Sequence, residues 1–132
     1  MRHEFRCAVR FDDLDAYGHV NNVTFVEYLQ EARVDWAHSY ATGARGSHEG
    51  AVVVHQEIDY LKPVPFRTEP LVVAVWVTRI GTSSYEVAYE VTADGVTVAR
   101  AASRLVAYDL AAHGPRELTP GERSALERFL AS

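Results

Sequence analysis

The 132-residue sequence has few of the residues on which several protein functions depend. Lys62 is the only lysine and the formal net charge is -5, so the chain has no broad positive surface for a nucleic-acid backbone. Cys7 is the only cysteine, which excludes an internal disulfide and a multi-thiolate metal site. No apolar run reaches the ~18 residues of a membrane span, and the charged start Met1–Arg6 is unlike a signal peptide. We expect a cytoplasmic protein without nucleic-acid partners or membrane spans.

The rest of the composition is typical of a folded globular chain. Hydrophobic residues make up 48% of the sequence and charged residues 23%, values that exclude the disordered and fibrous classes. A chain of 132 residues is long enough for one domain with its own core and short for two. We therefore expect one domain over residues 1–132.

Apolar periodicity predicts an α+β fold. Alternation over Phe5–Phe11 indicates a first strand, and helical spacing over Val23–Tyr40 indicates one amphipathic helix, with Asn21 and Asn22 as cap candidates. The segment Thr119–Glu122 has the hydroxyl, proline and carboxylate that open a short C-terminal helix. Four runs rich in Val, Tyr and Ile predict the remaining strands: Ala51–Leu61, Leu71–Ile80, Tyr85–Ala93 and Val96–Asp109.

Turn residues predict how these four strands connect. Asp94-Gly95 indicates a hairpin, Gly81–Ser84 another turn, and Gly43–Gly50 a loop, so we expect an antiparallel meander in sequence order. The strands at 71–79 and 96–108 carry apolar residues on both faces. One helix cannot cover both faces of a sheet, so we expect at least a dimer.

The densest polar cluster, Asp12–Asn22, lies between the first strand and the long helix. The first N–H groups of a helix are unpaired and carry the positive end of its dipole, so they can bind an oxyanion. Asp15, just before the helix, is placed to act as a general base or nucleophile on a carbonyl polarised by those groups. The same residue types also serve helix capping and tight turns alone, and this structural interpretation stays open.

Metal sites are poorly supported by the sequence. Asp13, Asp15 and Gly18 match three positions of a calcium-binding loop, but Thr24 stands where that loop has glutamate. The six histidines include no i,i+4 pair on the helix, and only Cys7 could join them. We expect no metal and no cofactor.

The polar cluster resembles the signature of hotdog-fold acyl-CoA thioesterases of the 4-hydroxybenzoyl-CoA thioesterase family. The resemblance runs over most of residues 5 to 109. It implies a hotdog fold, in which a long helix packs on a curled five-stranded antiparallel sheet. It also implies hydrolysis of an acyl-CoA or acyl-carrier-protein thioester to acid and thiol without a cofactor. The matching residues are Val9–Asn22, Phe25, Tyr28, Glu31, Ala32, Arg33, Ile58–Pro63 and Arg79–Ser84.

The resemblance also implies roles for individual residues. The family's catalytic carboxylate falls on Asp15, and its oxyanion donor, a backbone N–H in the first turn of the helix, falls near Asn22. Gly18 would let the backbone approach the substrate, and His19 matches a functional histidine of plant acyl-carrier-protein thioesterases. Sites in this family lie between two subunits, which implies a homodimer or homotetramer. The remaining candidates for substrate binding are Tyr17, His55, Glu57, Asp59, Lys62, Arg79, Ser83 and Ser84.

Two other functions of a hotdog domain remain open. The first is an acyl-CoA-binding protein without turnover, which the aspartate at the catalytic position disfavours. The second is a hydratase or dehydratase, which acts on the acyl chain beyond the thioester. We expect thioester hydrolysis.

Overall fold

The computed structural model of the protein describes residues 1–41 and 49–131. Within these ranges no helix is long and apolar enough to cross a membrane. The elements in chain order are β1 (His3–Cys7), a 3₁₀ turn (Phe11–Asp13), α1 (Asn22–Ala41), β2 (Glu49–Tyr60), β3 (Leu71–Ile80), β4 (Ser84–Ala93), β5 (Val96–Asp109), β6 (Gly114–Pro115) and α2 (Pro120–Glu127).

The strands form one antiparallel sheet in the order β1-β3-β4-β5-β2, with the two-residue β6 paired to the end of β5. The expected α+β fold with one long helix, five main strands and a short C-terminal helix is confirmed. The sequence analysis did not predict β6.

The order of the sheet differs from the expected meander. β3, β4 and β5 follow one another, but β2 pairs with β5, and β1 takes the place beside β3. After β2 the N–H groups of Leu61 and Lys62 both donate to the Val98 carbonyl, and a proline-containing segment then crosses to the other side of the sheet. Proline donates no ladder hydrogen bond, so this segment does not turn back as a hairpin. β2 is therefore an edge strand.

The first strand is shorter than predicted, because it ends at Cys7 and not at Phe11. Phe11 is 78% exposed, whereas Asp13 is buried. The Asp13 carboxylate accepts hydrogen bonds from the Arg10 backbone N–H at 2.9 Å and from the Arg10 guanidinium at 3.0 Å. These local bonds turn the chain into the 3₁₀ turn and override the alternating pattern.

Helix α1 follows its predicted pattern closely. Asn21 is the cap residue, since its side-chain oxygen accepts the Val23 N–H at 2.8 Å. The helix lies over β1 and β3, and each large apolar side chain buried there stabilises the fold by about 1.5–3 kcal/mol. The Tyr40 side chain and residues 42–48, which include most of the predicted loop Gly43–Gly50, lie outside the described residues, and β2 already begins at Glu49. The buried residues of the predicted face are Phe25, Tyr28, Leu29, Ala32 and Trp36.

The C-terminal segment closes one end of the core. Thr119 and Glu122 form the predicted capping box of α2. Phe129, two residues after the end of α2, is fully buried and packs edge-on against Trp36, with ring centroids 5.7 Å apart. The Phe129 carbonyl accepts the Val77 N–H at 2.8 Å, so the chain end pairs with β3 just beyond the reach of β1.

Candidate active site

The polar segment before α1 folds into a small hairpin-like loop. Leu14 and Val20 form an antiparallel bridge, and the Val20 N–H donates to the Val64 carbonyl at 2.7 Å. The Asn21 N–H donates to the Asp13 carbonyl at 2.9 Å. The loop is thereby fixed both to the first residues of α1 and to the segment that follows β2.

Asp15 lies at the start of the tight turn of this loop. Its Oδ1 atom accepts the backbone N–H groups of Tyr17 at 2.9 Å and His19 at 3.3 Å. Gly18 has φ +78°, which favours glycine, and its N–H donates to the Asp15 carbonyl. Within the described residues no donor reaches Oδ2 of Asp15. One carboxylate oxygen therefore orders the turn and the other is available for chemistry.

The N-terminus of α1 offers a free donor in the same loop. The Asn21 side chain takes the N–H of Val23, but the N–H of Asn22 meets no acceptor in the part of the chain described here. The Tyr60 hydroxyl of β2 donates to the Asn22 carbonyl at 2.9 Å. The predicted position of the oxyanion donor thus combines an unpaired N–H with the positive end of the helix dipole.

Asp13, two residues before Asp15, has a different role. The Tyr28 hydroxyl donates to its Oδ2 atom at 2.7 Å, and Arg10 occupies Oδ1. Burial alone would raise the pKa of Asp13, but the hydrogen bonds from Tyr28 and Arg10 outweigh it and lower that pKa. Burial, together with the Asp13 charge, raises the pKa of the Tyr28 hydroxyl. Asp13 is thus an ionised anchor of the loop.

The calcium-loop alternative does not fit this geometry. Arg10 and Tyr28 occupy both carboxylate oxygens of Asp13, the residue that would begin the calcium loop. Residues 1–41 and 49–131 contain no group of three or more His, Cys, Asp or Glu placed to hold a metal ion. Cys7 is buried, and burial is the main reason that its thiol pKa rises to about 11.

Several predicted residues lie at the same end of the sheet as Asp15. Tyr17 is 86% exposed at the tip of the loop, and His19 is half-buried and forms a bridge to Pro65. Lys62 is exposed just after β2, where its N–H donates to the Val98 carbonyl. Tyr17 and His19 belong to the loop itself, and Lys62 lies in the segment to which the Val20 N–H connects the loop through the Val64 carbonyl.

Glu57 and Asp59 lie on the opposite face of β2 from the helix. Gln56 accepts a hydrogen bond from the buried Ser103, so the even-numbered residues of this part of β2 face the core. By alternation Glu57 and Asp59 face outward, with Asp59 opposite Arg100 of β5. His55, outward as well, is opposite Arg104. Within the described residues no hydrogen bond or ion pair connects these side chains to Asp15.

Arg79, Ser83 and Ser84 lie at the far end of the sheet. Cys7, close to the loop, is opposite Leu71 at the start of β3, whereas Arg79 and Ile80 end this 10-residue strand. An extended strand of this length spans roughly 33 Å. The loop and the Gly81–Ser84 turn are therefore separated by nearly the whole sheet within one chain.

The sequence analysis missed two tyrosines of the site. Tyr60 packs edge-on against Phe25, with ring centroids 5.6 Å apart, and burial raises its pKa. The alternation of side chains along β2 places Tyr60 on the inner face of the strand, because the preceding Asp59 faces outward. Tyr28 was assigned to the apolar face of α1, and no local pattern indicated that its hydroxyl reaches Asp13.

Comparison with known proteins identifies the family. Residues 9–129 match the family model of the thioesterase-like superfamily. The chain belongs to this superfamily. Membership assigns it to the thioester hydrolases and, with the observed topology, confirms the hotdog fold.

Of three similar proteins, two are named as thioester hydrolases. The 1,4-dihydroxy-2-naphthoyl-CoA hydrolase of Nostoc punctiforme is 29% identical over 122 residues, 89% of this chain and 82% of that protein. The YsmA protein of Bacillus subtilis is 33% identical over 85 residues, 64% of this chain and 56% of YsmA, so this match spans about half of its length. A Thermus thermophilus thioesterase, solved with coenzyme A and zinc, is 32% identical with a TM-score of 0.81, over 96% of this chain and 92% of that one.

Proposed function

We propose that this protein hydrolyses acyl-CoA thioesters at the loop before α1. The Asn22 N–H and the helix dipole stabilise the oxyanion that forms on the thioester carbonyl. Oδ2 of Asp15 either takes a proton from the attacking water or attacks the carbonyl carbon itself. If Asp15 activates water, the C–S bond breaks after water adds, the thiolate leaves and takes up a proton, and the acid is released. If Asp15 attacks, the same loss of thiolate leaves a mixed anhydride on Asp15, and a water molecule then hydrolyses it to the acid and the regenerated carboxylate. The observation that carries this proposal is the pairing, in one loop, of a free carboxylate oxygen with a free helix N–H.

Coenzyme A is the thiol carrier that the comparisons favour. The Nostoc relative is named for a CoA ester, and the Thermus thioesterase was solved with coenzyme A. An acyl-carrier-protein thioester stays the alternative carrier. Assaying both carriers with the same acyl group decides between them.

A homodimer completes the site in this proposal. β2 is a free edge, and Val52, Val53 and Val54 on it are all exposed. Ser84 is opposite Val106, which is itself opposite Val52 near the start of β2. If two β2 strands pair antiparallel about a two-fold axis, the start of one lies beside the end of the other. The Arg79–Ser84 turn of a second copy then approaches the Asp15 loop, where it can contact the pantetheine or phosphate groups.

The substitution Asp15→Asn tests the catalytic assignment. An amide can still accept the Tyr17 and His19 N–H groups, but it cannot take a proton or attack a carbonyl. We expect kcat to fall by at least about two orders of magnitude, while folding and acyl-CoA binding persist. Thiol release measures kcat, and calorimetry measures binding.

Asp12→Asn is the matched control, since Asp12 is exposed and belongs to the same loop. It alters nearly the same local charge and should leave turnover within a few-fold of the parent. Equal and modest effects of both substitutions would refute catalysis by Asp15. A protein that binds acyl-CoA without thiol release would be a sensor, and altered chain unsaturation without thiol release would indicate a hydratase or dehydratase.

We further propose that turnover needs no metal ion, although the Thermus relative was solved with zinc. The proposed chemistry uses a carboxylate and a backbone donor, both supplied by the chain. Treatment with EDTA should leave thiol release unchanged. Loss of activity that a divalent ion restores would contradict this.

A cytoplasmic location completes the proposal, and fractionation of cells that express the protein tests it.

A further inference from the structure

A series of hydrogen bonds crosses the inner face of the sheet from α1 to β2. Arg33 Nη1 donates to the Tyr89 hydroxyl at 3.1 Å, Tyr89 donates to Ser103 Oγ at 3.0 Å, and Ser103 donates to Gln56 Oε1 at 2.8 Å. Tyr89 and Ser103 are 1% and 2% exposed, whereas Arg33 and Gln56 are half-buried. This polar relay (Arg33, Tyr89, Ser103, Gln56) is thus accessible only at its two ends.

Arg33 fixes the direction of the polar relay. A guanidinium group only donates, so the Tyr89 oxygen accepts and its proton goes to Ser103, which in turn donates to the Gln56 oxygen. The NH₂ group of Gln56 is left without an acceptor in residues 1–41 and 49–131, as are the remaining N–H groups of Arg33. Both ends of the relay therefore present donors only.

The charge of Arg33 also lacks a counterpart. The half-buried Arg67 pairs with Asp94 at 3.0 Å, and Arg116 pairs with Glu122 at 2.7 Å. Across the described ranges, Arg33 forms no ion pair with a carboxylate. A partly buried guanidinium is costly to desolvate unless an acceptor, preferably an anion, compensates it.

The two donors lie between α1 and the inner face of β2, on the side where the N-terminus of α1 meets Tyr60. Asn22, Val26 and Arg33 share one flank of the helix, since they are spaced four and seven residues apart. Tyr60 and Gln56 share the inner face of β2, and Tyr60 contacts Asn22 while Gln56 connects to Arg33 through the relay. From Tyr60 to Gln56 the strand advances roughly 13 Å. An acyl group whose carbonyl is bound at Asn22 and which runs between α1 and β2 would therefore point toward Arg33 and Gln56.

We propose that Arg33 and Gln56 bind an acceptor oxygen at the far end of the acyl group, and that the preferred substrates are acyl-CoAs with a carboxylate there. A carboxylate supplies both the charge that Arg33 lacks and the lone pairs that the Gln56 amide can use. This inference rests on the proposed function, because it needs the thioester carbonyl at the start of α1.

A matched pair of substrates tests the inference. Decanoyl-CoA and sebacoyl-CoA, its ω-carboxy analogue, have the same chain length and differ in the terminal group. We expect kcat/KM for sebacoyl-CoA to exceed that for decanoyl-CoA by at least about tenfold, the effect of one charge-assisted hydrogen bond. Thiol release is measured for both substrates under the same conditions.

Two variants locate the preference at the polar relay. Arg33→Met removes the charge and should reduce the sebacoyl-to-decanoyl ratio to about one while decanoyl-CoA turnover persists. Gln56→Glu keeps the acceptor for Ser103 but places a carboxylate beside the position proposed for the carboxylate of the substrate. The sebacoyl-to-decanoyl ratio should therefore fall below that of the parent. Thr92→Val, on the outward side of β4, is the control and should leave the ratio unchanged.

The outcomes separate this inference from the proposed function. Equal hydrolysis of both substrates, or preference for decanoyl-CoA, overturns the inference and leaves the proposed function intact. The same holds if other acyl-CoAs are hydrolysed and these two are not. An equal loss on both substrates in Arg33→Met, with an unchanged ratio, would show that the relay is structural. No thiol release from any acyl-CoA would refute both proposals.

Discussion

At the scale of single residues, two aspartates of one loop have opposite tasks. Asp13 is buried and accepts hydrogen bonds from Arg10 and Tyr28. Asp15 is half-buried and keeps one oxygen free of protein donors within the described chain. A buried carboxylate with several donors loses basicity, whereas a carboxylate with a free oxygen stays available to a substrate. Position in the loop therefore decides which aspartate can do chemistry.

Asp13→Asn should destabilise the protein at neutral pH by about 1–3 kcal/mol, because an amide has only one acceptor oxygen. Its NH₂ group cannot accept the hydrogen bonds that the second carboxylate oxygen receives. The folded-state pKa of Asp13 is lowered, so its contribution is complete above the ordinary aspartate pKa and is lost as the pH falls through the folded value. The difference between parent and variant should therefore shrink below about pH 4. Urea unfolding at neutral and acidic pH measures it.

The exposed Asp12 again provides the control. Asp12→Asn should change the free energy of unfolding by less than about 0.5 kcal/mol at either pH. Equal destabilisation by the two substitutions would show that local charge, and not the buried hydrogen bonds, stabilises the loop.

At the scale of elements, α2 is fixed by one carboxylate with two functions. Glu122 accepts the Thr119 N–H at 2.9 Å, and it pairs with Arg116 at 2.7 Å. Arg116 also donates to the Gly50 carbonyl at 3.0 Å, which connects α2 to the start of β2. Burial alone would raise the pKa of Glu122, but the Arg116 and Thr119 hydrogen bonds lower it.

Glu122→Gln should lower the free energy of unfolding by about 1–2 kcal/mol at neutral pH, since the ion pair with Arg116 is lost. The lowered pKa means that this contribution is present above the ordinary glutamate value and disappears as the pH falls through the folded value. Glu127→Gln, at the exposed end of the same helix, is the matched control. Thermal unfolding of both variants at neutral pH and at acid pH tests this, and equal shifts in Tm would contradict it.

Elements with their own local signals were predictable from the sequence. The spacing of Phe25, Leu29 and Trp36 and the cap at Asn21 define α1, and the Thr119–Glu122 pattern defines α2. Asp15 was accessible as a candidate because it lies in the polar segment between the first strand and the long helix.

Features that depend on distant parts of the chain were not predictable. The pairing of β2 with β5 is decided by the path of the chain after Tyr60, which no periodicity encodes. The error at Phe11 arose because hydrogen bonds to Asp13 outweigh the alternating pattern. The polar relay from Arg33 to Gln56 joins four elements, α1, β4, β5 and β2, and both α1 and β2 are far in sequence from the β4–β5 hairpin.

At the scale of the whole molecule, the proposed dimer predicts a measurable mass. Light scattering at micromolar concentration should give at least twice the 14.7 kDa of one chain. Val54, 54% exposed at the irregularity in β2, is a suitable position for a disrupting charge. Val54→Lys should give a monomer with much reduced thiol release, because the second copy then no longer reaches the Asp15 loop.

Val96→Lys is the control for this experiment. Val96 is 45% exposed at the hairpin between β4 and β5, away from the free edge. The Val96→Lys variant should keep the mass and the thiol-release activity of the parent. A parent mass near 14.7 kDa, or full activity in a monomeric Val54→Lys, would rule out the shared site.

The two borders of the sheet are unequal, and this inequality limits how chains can aggregate. On one side, the short β1 pairs with the first half of β3, and the chain end pairs with β3 beyond it, where the Phe129 carbonyl accepts the Val77 N–H. On the other side β2 offers 12 residues. A chain with two long open borders can add copies without end, as amyloid fibrils do. With one long border of this kind, strand addition stops once two chains have joined, so concentrated protein should remain free of fibrils.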